Sequence, residues 1–292
     1  MQPLIPYFEQ PVLNIGPIPI HAFGILVATG FMFGGNIAQA KAERFGGSAD
    51  AINRVIGYIV AGVFFGGHWG HILMYSPQDL IGEPARFGRM FAALTSGRLP
   101  TGDEIPNVLQ FWHGLSSFGG FAVSTALIVW FFRKEKRDFW RHGDGIAIGL
   151  GVGWFFGRMG CFSAHDHPGN PTNFYLGVYG MCPGGNPTVA CHDLGLYEAI
   201  WSICVYGLFV LLDKKPRFPG FYVGLLATLY GPCRFVSDFF RHIETDTRYA
   251  GLTPAQYGSI LISLAGISIM VARRNIKPTW ALPEPTVVEK KP

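Results

Sequence analysis

Long uncharged stretches separated by short polar segments form the main pattern along this chain. Long stretches without Asp, Glu, Lys or Arg include residues 11–40, 55–78, 105–132, 199–212, 218–233 and 249–272. Several of them reach the roughly 20 residues that a helix needs to cross a bilayer. The pattern therefore predicts an integral membrane protein.

The apolar stretches and the breaks between them predict about seven transmembrane helices. We place the spans at residues 18–38, 52–74, 108–132, 144–162, 193–212, 218–237 and 253–272. No soluble domain of useful size fits between the spans, so we expect an all-α integral membrane protein with one transmembrane domain at residues 1–274. Residues 275–292 contain four prolines and, next to the last residue, two lysines, and we expect a flexible cytoplasmic tail there.

Composition points to the same class of protein. Of the 292 residues, 49% are hydrophobic and 14% are Asp, Glu, Lys or Arg. An average soluble domain has roughly 25% charged residues. The low charge content argues against a soluble globular protein, and we expect the lipid bilayer as a partner and no nucleic acid.

Lys and Arg residues fall mostly on one side of the predicted spans. Sixteen of the 23 lie in segments 39–54, 133–143, 213–217 and 273–292, whereas five lie in the segments on the opposite side. Cytoplasmic loops are enriched in Lys and Arg. The bias therefore predicts a periplasmic N-terminus and a cytoplasmic C-terminus.

Two arginines remain outside this distribution, at the outer ends of the fourth and sixth spans. A charged side chain at that depth is costly and usually pairs or binds a ligand. Arg158 and Arg234 would lie at the same membrane level on separate helices, and the planar guanidinium group suits phosphate. We therefore predict an anion site at the outer boundary of the bilayer. The alternative is a set of salt bridges to Glu198 or Asp238, or side chains that extend to the membrane interface.

Nine histidines raise the question of a metal site. His68 and His71 are one helical turn apart and such a pair can share a metal ion, but no Glu accompanies them as in a metalloprotease helix. His165 and His167 are two residues apart, a spacing that suits ligands only in a loop or strand. We expect no metal and no cofactor. His165 or His167 is instead a candidate proton acceptor, because imidazole titrates near neutral pH; a purely structural role is the alternative.

Five cysteines leave at least one thiol unpaired. Cys182 and Cys191 fall in one outer segment, where the compartment permits a disulfide. The sequence leaves two alternatives open: a disulfide bond between Cys182 and Cys191, or two free thiols. Cys161, Cys204 and Cys233 lie in or at the ends of spans, and we interpret them as small apolar residues.

Seven short segments form an ordered set of motifs along nearly the whole chain. They read IGPIPIHAFGILVATGF, FGGHWGHILMYSP, FWHGLSSFGGF, GDGIAIGLGVGWFFGRMGCF, HDLGLYEA, YGPCRFVSDFFR and GLTPAQYGSI. In this order they resemble the motifs of the bacterial prolipoprotein diacylglyceryl transferases, with Gly169 in the place of the last glycine of the family's signature. The resemblance identifies the chain as a divergent member of that family.

The resemblance implies a transferase of lipoprotein biosynthesis in the bacterial inner membrane. Its donor would be phosphatidylglycerol, and its acceptor the lipobox cysteine of a prolipoprotein. The diacylglyceryl group would move to the thiol as a thioether, with release of glycerol phosphate, at a site facing the outer leaflet. A monomer suffices for this chemistry.

The resemblance also implies roles for particular residues. Arg158 and Arg234 would be catalytic and bind the phosphate. Further phosphate or lipid contacts would come from Arg241, Gly119, Gly120 and Gly169. The orienting carboxylates would be Asp144, Asp166, Glu198 and Asp238.

The chain departs from the family pattern at several of these places. Phe118 stands where the family commonly has a histidine proposed as the base, and Cys161 stands for the signature asparagine. Phenylalanine cannot accept a proton, so we predict that His165 or His167 replaces that base, with Asp166 orienting a neighbour. The alternative is that the acceptor thiol loses its proton to solvent or to lipid phosphate.

Two other functions remain open at the level of sequence. A transporter of anions or lipids would use the same outer arginines, but such proteins normally show internal repeats, and the sequence shows none. A transferase-like paralogue with a different acceptor or without catalysis is also compatible with Phe118 and with the segment from His165 to Pro168.

Overall fold

The computed structural model describes residues 3–15, 18–80, 83–110, 114, 116–241 and 248–278, and helices dominate this part of the chain. The helices are α1 Ala22–Arg44, α2 Ala49–Tyr75, α3 Pro84–Thr95, α4 Ser117–Lys134, α5 Phe139–Ala164, α6 Leu194–Leu212, α7 Phe221–Ser237 and α8 Pro254–Arg273. Seven of them coincide with the predicted spans, and α3 is an additional helix in a predicted outer segment. Residues 279–292 of the predicted tail lie outside the described residues.

Five of the described helices are long and apolar enough to cross a bilayer. They are Ala22–Arg44, Ala49–Met74, Phe139–Ala164, Leu194–Leu212 and Pro254–Arg273. The remaining predicted spans correspond to α4 and α7, which are 18 and 17 residues long. A mostly helical protein with several membrane-spanning helices is thus confirmed, while the count of seven and the orientation of the termini stay predictions.

The structure also contains short β-strands between the helices, which the all-α prediction does not include. β1 (Val12–Ile15) and β2 (Ile18–His21) form an antiparallel pair. β3 (Pro168–Pro171), β4 (Val178–Tyr179) and β5 (Ala190–Asp193) form an antiparallel sheet in the order β3-β5-β4. These strands are two to four residues long, so they are too short to leave a clear alternating pattern in the sequence.

A disulfide bond ties the small sheet together. Cys182 and Cys191 are bonded, with their Cα atoms 5.3 Å apart, which decides between the two alternatives left open by the sequence. Together with Val178 and Met181, the two cysteines form a small buried apolar cluster. The bridge therefore holds the connection between β4 and β5 against the strand that leads into α6.

The described residues group into two compact units. The first takes its residues from 1–53, 138–245 and 256–292, and the second from 54–137 and 246–255. In the first unit, α5 packs most extensively against α1 and next against α6. Asp138 begins α5, since its carboxylate accepts a hydrogen bond from the backbone N–H of Trp140 at 2.8 Å, as an N-cap residue does.

Glycines bring the backbones of α1 and α5 into direct contact. A Cβ atom added to Gly30 or to Gly34 would lie 2.8 Å from the carbonyl oxygen of Gly153 or Gly149, respectively. Small residues at four-residue spacing permit such close approach between membrane helices. The glycines of α5 therefore hold this helix, which carries Arg158, close against α1 at the centre of the first unit.

In the second unit, glycines play the same part between α2 and α4. Gly119 packs against the backbone of Gly66 and Gly70, and a Cβ atom on Gly119 would lie 2.7 Å from the Cα of Gly70. Gly120 faces Val63 of α2, and a Cβ atom on Gly120 would lie 3.4 Å from the carbonyl oxygen of Val63. These contacts give Gly119 and Gly120 a packing role.

Candidate active site

Arg158 lies in the penultimate turn of α5 and is held by partners on two sides. Its Nη2 is 2.9 Å from Oε2 of Glu198, and its side chain is 11% exposed. The guanidinium group lies over the ring of Trp154 one turn earlier, at 5.1 Å from the ring centroid. Aromatic stacking and the ion pair together fix the plane of the guanidinium group.

Glu198 of α6 joins Arg158 to the second predicted arginine. Its Oε1 lies 3.8 Å from Nη1 of Arg234 on α7, and both side chains are almost completely buried. The other side of Arg234 meets Asp238, with Nη2 at 3.2 Å from Oδ1. The structure therefore brings the two predicted arginines together around one carboxylate, and it also contains both salt bridges of the alternative interpretation.

Arg241 extends the same network by one more charge. Its Nε lies 3.4 Å from Oδ1 of Asp238. Asp238 is buried, whereas the Arg241 side chain is 27% exposed. The network thus runs from Arg158 in the interior to Arg241 near the surface of the first unit.

Two nitrogen atoms of Arg234 lack a hydrogen-bond acceptor in the described part of this network. Among the described residues, no acceptor forms a hydrogen bond with Nε or Nη1 of Arg234, although the side chain is 3% exposed. Buried donors nearly always have a partner. An anionic ligand would supply the missing acceptor.

Gly169 acts on the arginine network through the backbone. It forms an isolated antiparallel bridge with Arg241, and a Cβ atom on Gly169 would contact the carbonyl oxygen of Phe240 and lie 2.9 Å from the Cβ of His192. Asn170 adds a hydrogen bond from its side chain to the carbonyl oxygen of Phe239 at 3.3 Å. Gly169 thus permits a close approach of two backbone segments, and its predicted contact with the ligand stays a prediction.

His165 is held in place by two acceptors. It ends α5 in the left-handed conformation, with φ +50°. Its Nδ1 lies 3.3 Å from Oδ2 of Asp193, and its Nε2 lies 3.1 Å from the carbonyl oxygen of Phe8. The ring is 7% exposed. Because both nitrogens are engaged in the interior, this geometry favours the structural role for His165.

His167 and Asp166 contact each other on the accessible side of the same turn. Nδ1 of His167 forms a short contact with Oδ1 of Asp166, and the two side chains are 27% and 42% exposed. One ligand atom from each of Cys161, Asp166 and His167 lies within 4.8 Å of the others. Nη1 of Arg158 is 4.0 Å from the Cys161 sulfur. The histidine next to the arginine network is thus His167.

His192 faces the same region from β5. Its Nδ1 lies 2.8 Å from the hydroxyl oxygen of Tyr197. Burial lowers the pKa of His192 below the usual value for histidine, because the charged imidazolium loses solvation. His192 is therefore expected to be neutral at pH 7 and to add no charge to the arginine network.

Asp144 lies at the other end of α5 from the arginines. Fourteen residues separate it from Arg158, which is about 21 Å along a helix. Its carboxylate accepts hydrogen bonds from the backbone N–H groups of Gly220, Tyr222 and Val223 at 2.7–3.1 Å. Asp144 caps the start of α7 and does not reach the arginine network, so its predicted orienting role is not supported by this geometry.

Two contributors to the site differ from what the sequence pattern indicates. An apolar role is expected for Cys161, but its sulfur lies beside Arg158. Asp193 carries no sequence prediction, but it accepts a hydrogen bond from the N–H of Leu196 at 2.9 Å and also contacts His165. A signal for Asp193 does exist, since an Asp directly before an apolar helix is a common N-cap. The position of Cys161 depends on a turn that no local pattern predicts.

Comparison with known proteins gives one consistent result. The sequence model of the family described as "Prolipoprotein diacylglyceryl transferase" matches residues 10–272. A protein of Chromohalobacter salexigens named phosphatidylglycerol–prolipoprotein diacylglyceryl transferase is 27% identical over 277 residues, which cover 92% of this chain and 94% of the relative. A protein of the same name from Hydrogenovibrio crunogenus is 29% identical over 277 residues, covering 92% and 96%.

Proposed function

The chain belongs to the prolipoprotein diacylglyceryl transferase family, and we propose that it transfers the diacylglyceryl group of phosphatidylglycerol to the lipobox cysteine of prolipoproteins. This is the first step of lipoprotein maturation. Relatives named for this activity align with 92% of the chain. Phe118 and Cys161 depart from the family pattern, so part of the local chemistry falls to other residues of this chain.

The observation that carries the proposal is the pair of buried arginines around Glu198. Arg158 and Arg234 come from different helices and meet the same carboxylate, and Arg234 keeps two donors without an acceptor among the described residues. A phosphodiester next to these donors would receive charge-assisted hydrogen bonds. Such donors stabilise a transition state in which negative charge grows on the phosphate.

The reaction follows from this placement of charge. The acceptor sulfur attacks the carbon of the diacylglyceryl group that is bonded to the phosphate oxygen, and a carbon–sulfur bond forms. The carbon–oxygen bond breaks, and its electron pair leaves with glycerol phosphate. Arg158 and Arg234 balance the charge of the leaving phosphate, Arg241 supplies a further cation, and the carboxylates of Glu198 and Asp238 orient the guanidinium groups.

The acceptor thiol must lose a proton, because the thiolate is the nucleophile. An ordinary thiol has a pKa of roughly 8.5, so a nearby acceptor raises the thiolate fraction at neutral pH. His167 suits this task better than His165, since it is accessible and Asp166 contacts its Nδ1. His165 serves as an anchor between Asp193 and Phe8.

The topology completes the proposal. We infer seven spans in the inner membrane, a periplasmic N-terminus and a site that faces the outer leaflet, since the Lys and Arg bias favours that orientation. Residues 1–274 act as one catalytic domain in a monomer.

The test is transfer by the purified full chain in detergent. The protein is incubated with phosphatidylglycerol labelled in its acyl chains and with a lipobox peptide, and label on the peptide cysteine is measured. We expect transfer that is lost in Arg158→Ala and Arg234→Ala and absent from a peptide with Ser in place of Cys. Release of label from the lipid without transfer to peptide would contradict the proposal.

One second candidate is favoured by a specific residue. Phe118 cannot accept a proton, and the loss of a proton acceptor at this position is what we would expect in a paralogue that lacks the transferase activity. A chain that binds phosphatidylglycerol through Arg158 and Arg234 but transfers nothing to any lipobox peptide would be such a paralogue.

A further inference from the structure

One group of side chains next to the arginine network has the donor set of a metal site. Within the described residues, Cys161, Asp166 and His167 each offer one ligand atom, and these atoms lie within 4.8 Å of one another. Cys161 belongs to the last turn of α5, and the left-handed His165 turns the chain so that the next two residues fold back toward it. Asp166 and His167 follow Cys161 by five and six residues, and the turn makes all three neighbours in space.

We propose that this cluster binds Zn²⁺ and that the bound ion holds the acceptor cysteine as a thiolate. The inference rests on the proposed transferase function and replaces the direct proton-accepting role of His167 by a role as metal ligand. The expectation of no metal rests on the spacing of histidines alone. The fold adds a thiol and a carboxylate that no histidine spacing reveals.

The chemistry of the donors fits zinc. Thiolate sulfur, imidazole nitrogen and carboxylate oxygen are its three usual protein ligands, and catalytic sites with three of them keep a fourth position open. Tetrahedral coordination with bonds of about 2.0–2.3 Å requires donors roughly 3.3–3.6 Å apart. The three ligand atoms lie within 4.8 Å of one another, so the proposed site requires side-chain rotations that open the contact between Asp166 and His167.

The local charges also permit a divalent cation. The Cys161 thiolate and the Asp166 carboxylate carry two negative charges, which match the ion. The nearby Arg158 forms an ion pair at 2.9 Å with Glu198, a carboxylate that it shares with Arg234. Asp166 and His167 are 42% and 27% exposed, so an ion can reach them from solvent.

The fourth position would serve the acceptor. A thiol that coordinates zinc is deprotonated, and its proton passes to solvent. The bound thiolate sulfur then attacks the glyceryl carbon, the carbon–oxygen bond breaks, and the electron pair leaves with the phosphate next to Arg158. The product thioether is neutral and binds the ion more weakly than the thiolate did, so the product can leave.

Metal binding is tested directly on the full chain in detergent. The protein is stripped with dipicolinate, reloaded with Zn²⁺, dialysed and analysed for zinc per chain, and a second sample is loaded with Co²⁺ for its sulfur-to-cobalt absorption band. We expect about one ion per chain, and at least about tenfold weaker binding in Cys161→Ser and His167→Gln, as for loss of a ligand. Cys204→Ser and His21→Gln are matched controls, because Cys204 is an exposed free thiol and His21 is exposed and outside the cluster.

Transfer activity then separates this inference from the proposed function. We expect the stripped protein to lose at least about tenfold in turnover and to regain it with Zn²⁺ but not with Mg²⁺, which prefers oxygen ligands. Transfer that is unchanged by stripping and by Cys161→Ser overturns the metal role and leaves the transferase intact. Absence of bound zinc or of the cobalt band in wild-type protein overturns it as well. Zinc bound at the cluster of a chain that transfers nothing even when reloaded would instead overturn the proposed function.

Discussion

The most informative single change is Arg158→Lys, because it keeps the positive charge and removes the planar fork. Arg158 uses Nη2 for Glu198 at 2.9 Å, while Nη1 points to the neighbourhood of the Cys161 sulfur at 4.0 Å. The guanidinium group can thus hold its carboxylate and donate to a phosphate at the same time. A lysine has one nitrogen, which must choose between the two partners.

The size of the effect follows from the lost contact. One charge-assisted hydrogen bond contributes about 1.5–3 kcal/mol, and each 1.36 kcal/mol changes a rate about tenfold. We therefore expect kcat/KM to fall about 10- to 150-fold. Most of the loss should appear in kcat, because the phosphate gains negative charge as it leaves and the missing donor matters most in the transition state.

The measurement is label transfer from phosphatidylglycerol to a lipobox peptide at several concentrations of each substrate. Arg54→Lys is the matched control, since Arg54 forms two hydrogen bonds with Glu135 at 3.0 and 2.8 Å on an exposed surface. Such an exposed pair contributes little, and we expect that variant to stay within about twofold of wild type. An Arg158→Lys enzyme within about threefold of wild type in kcat/KM would refute the two-partner role of Arg158.

Three further predictions concern the frame of the site. Gly169→Ala should abolish most transfer and lower the melting temperature in detergent, because the added Cβ meets the carbonyl oxygen of Phe240; normal values for both would contradict the close approach. Asp144→Asn should lower the melting temperature, because the start of α7 loses a charged N-cap acceptor, and should leave kcat within about threefold, because Asp144 is about 21 Å along the helix from Arg158. A loss of activity without a loss of stability would instead support its orienting role. Replacing Cys182 and Cys191 by Ser should destabilise the chain by about 2–3 kcal/mol, as for a short closed loop, and an unchanged denaturation midpoint would refute this.

Helix geometry alone is enough to separate Asp144 from Arg158. Fourteen residues along one span correspond to about 21 Å, so the orienting role implied by the family resemblance conflicts with the length of the predicted helix. The backbone contacts that Asp144 makes with the start of α7 are not predictable in this way, because they depend on which helix packs beside α5.

Local features of the chain are sufficient to predict the class of the protein and the positions of most helices, and they place Arg158 and Arg234 at the outer ends of two predicted spans. These properties depend on hydrophobic length and on the cost of charge in a bilayer, which act segment by segment along the chain. The resemblance to a known family supplied the expected reaction.

The way in which the charged residues combine depends on tertiary packing. The position of Glu198 between two arginines requires α5, α6 and α7 in register. The close contacts of Gly151 with Tyr206 and of Gly195 with Phe162 hold α5 against α6, and they join segments that are distant in sequence. The separation of His165 from His167, two residues apart in sequence but facing different partners, follows from one left-handed residue held by Asp193 and Phe8. That same turn brings Cys161 to His167, because long-range packing stabilises a backbone conformation that local propensity disfavours.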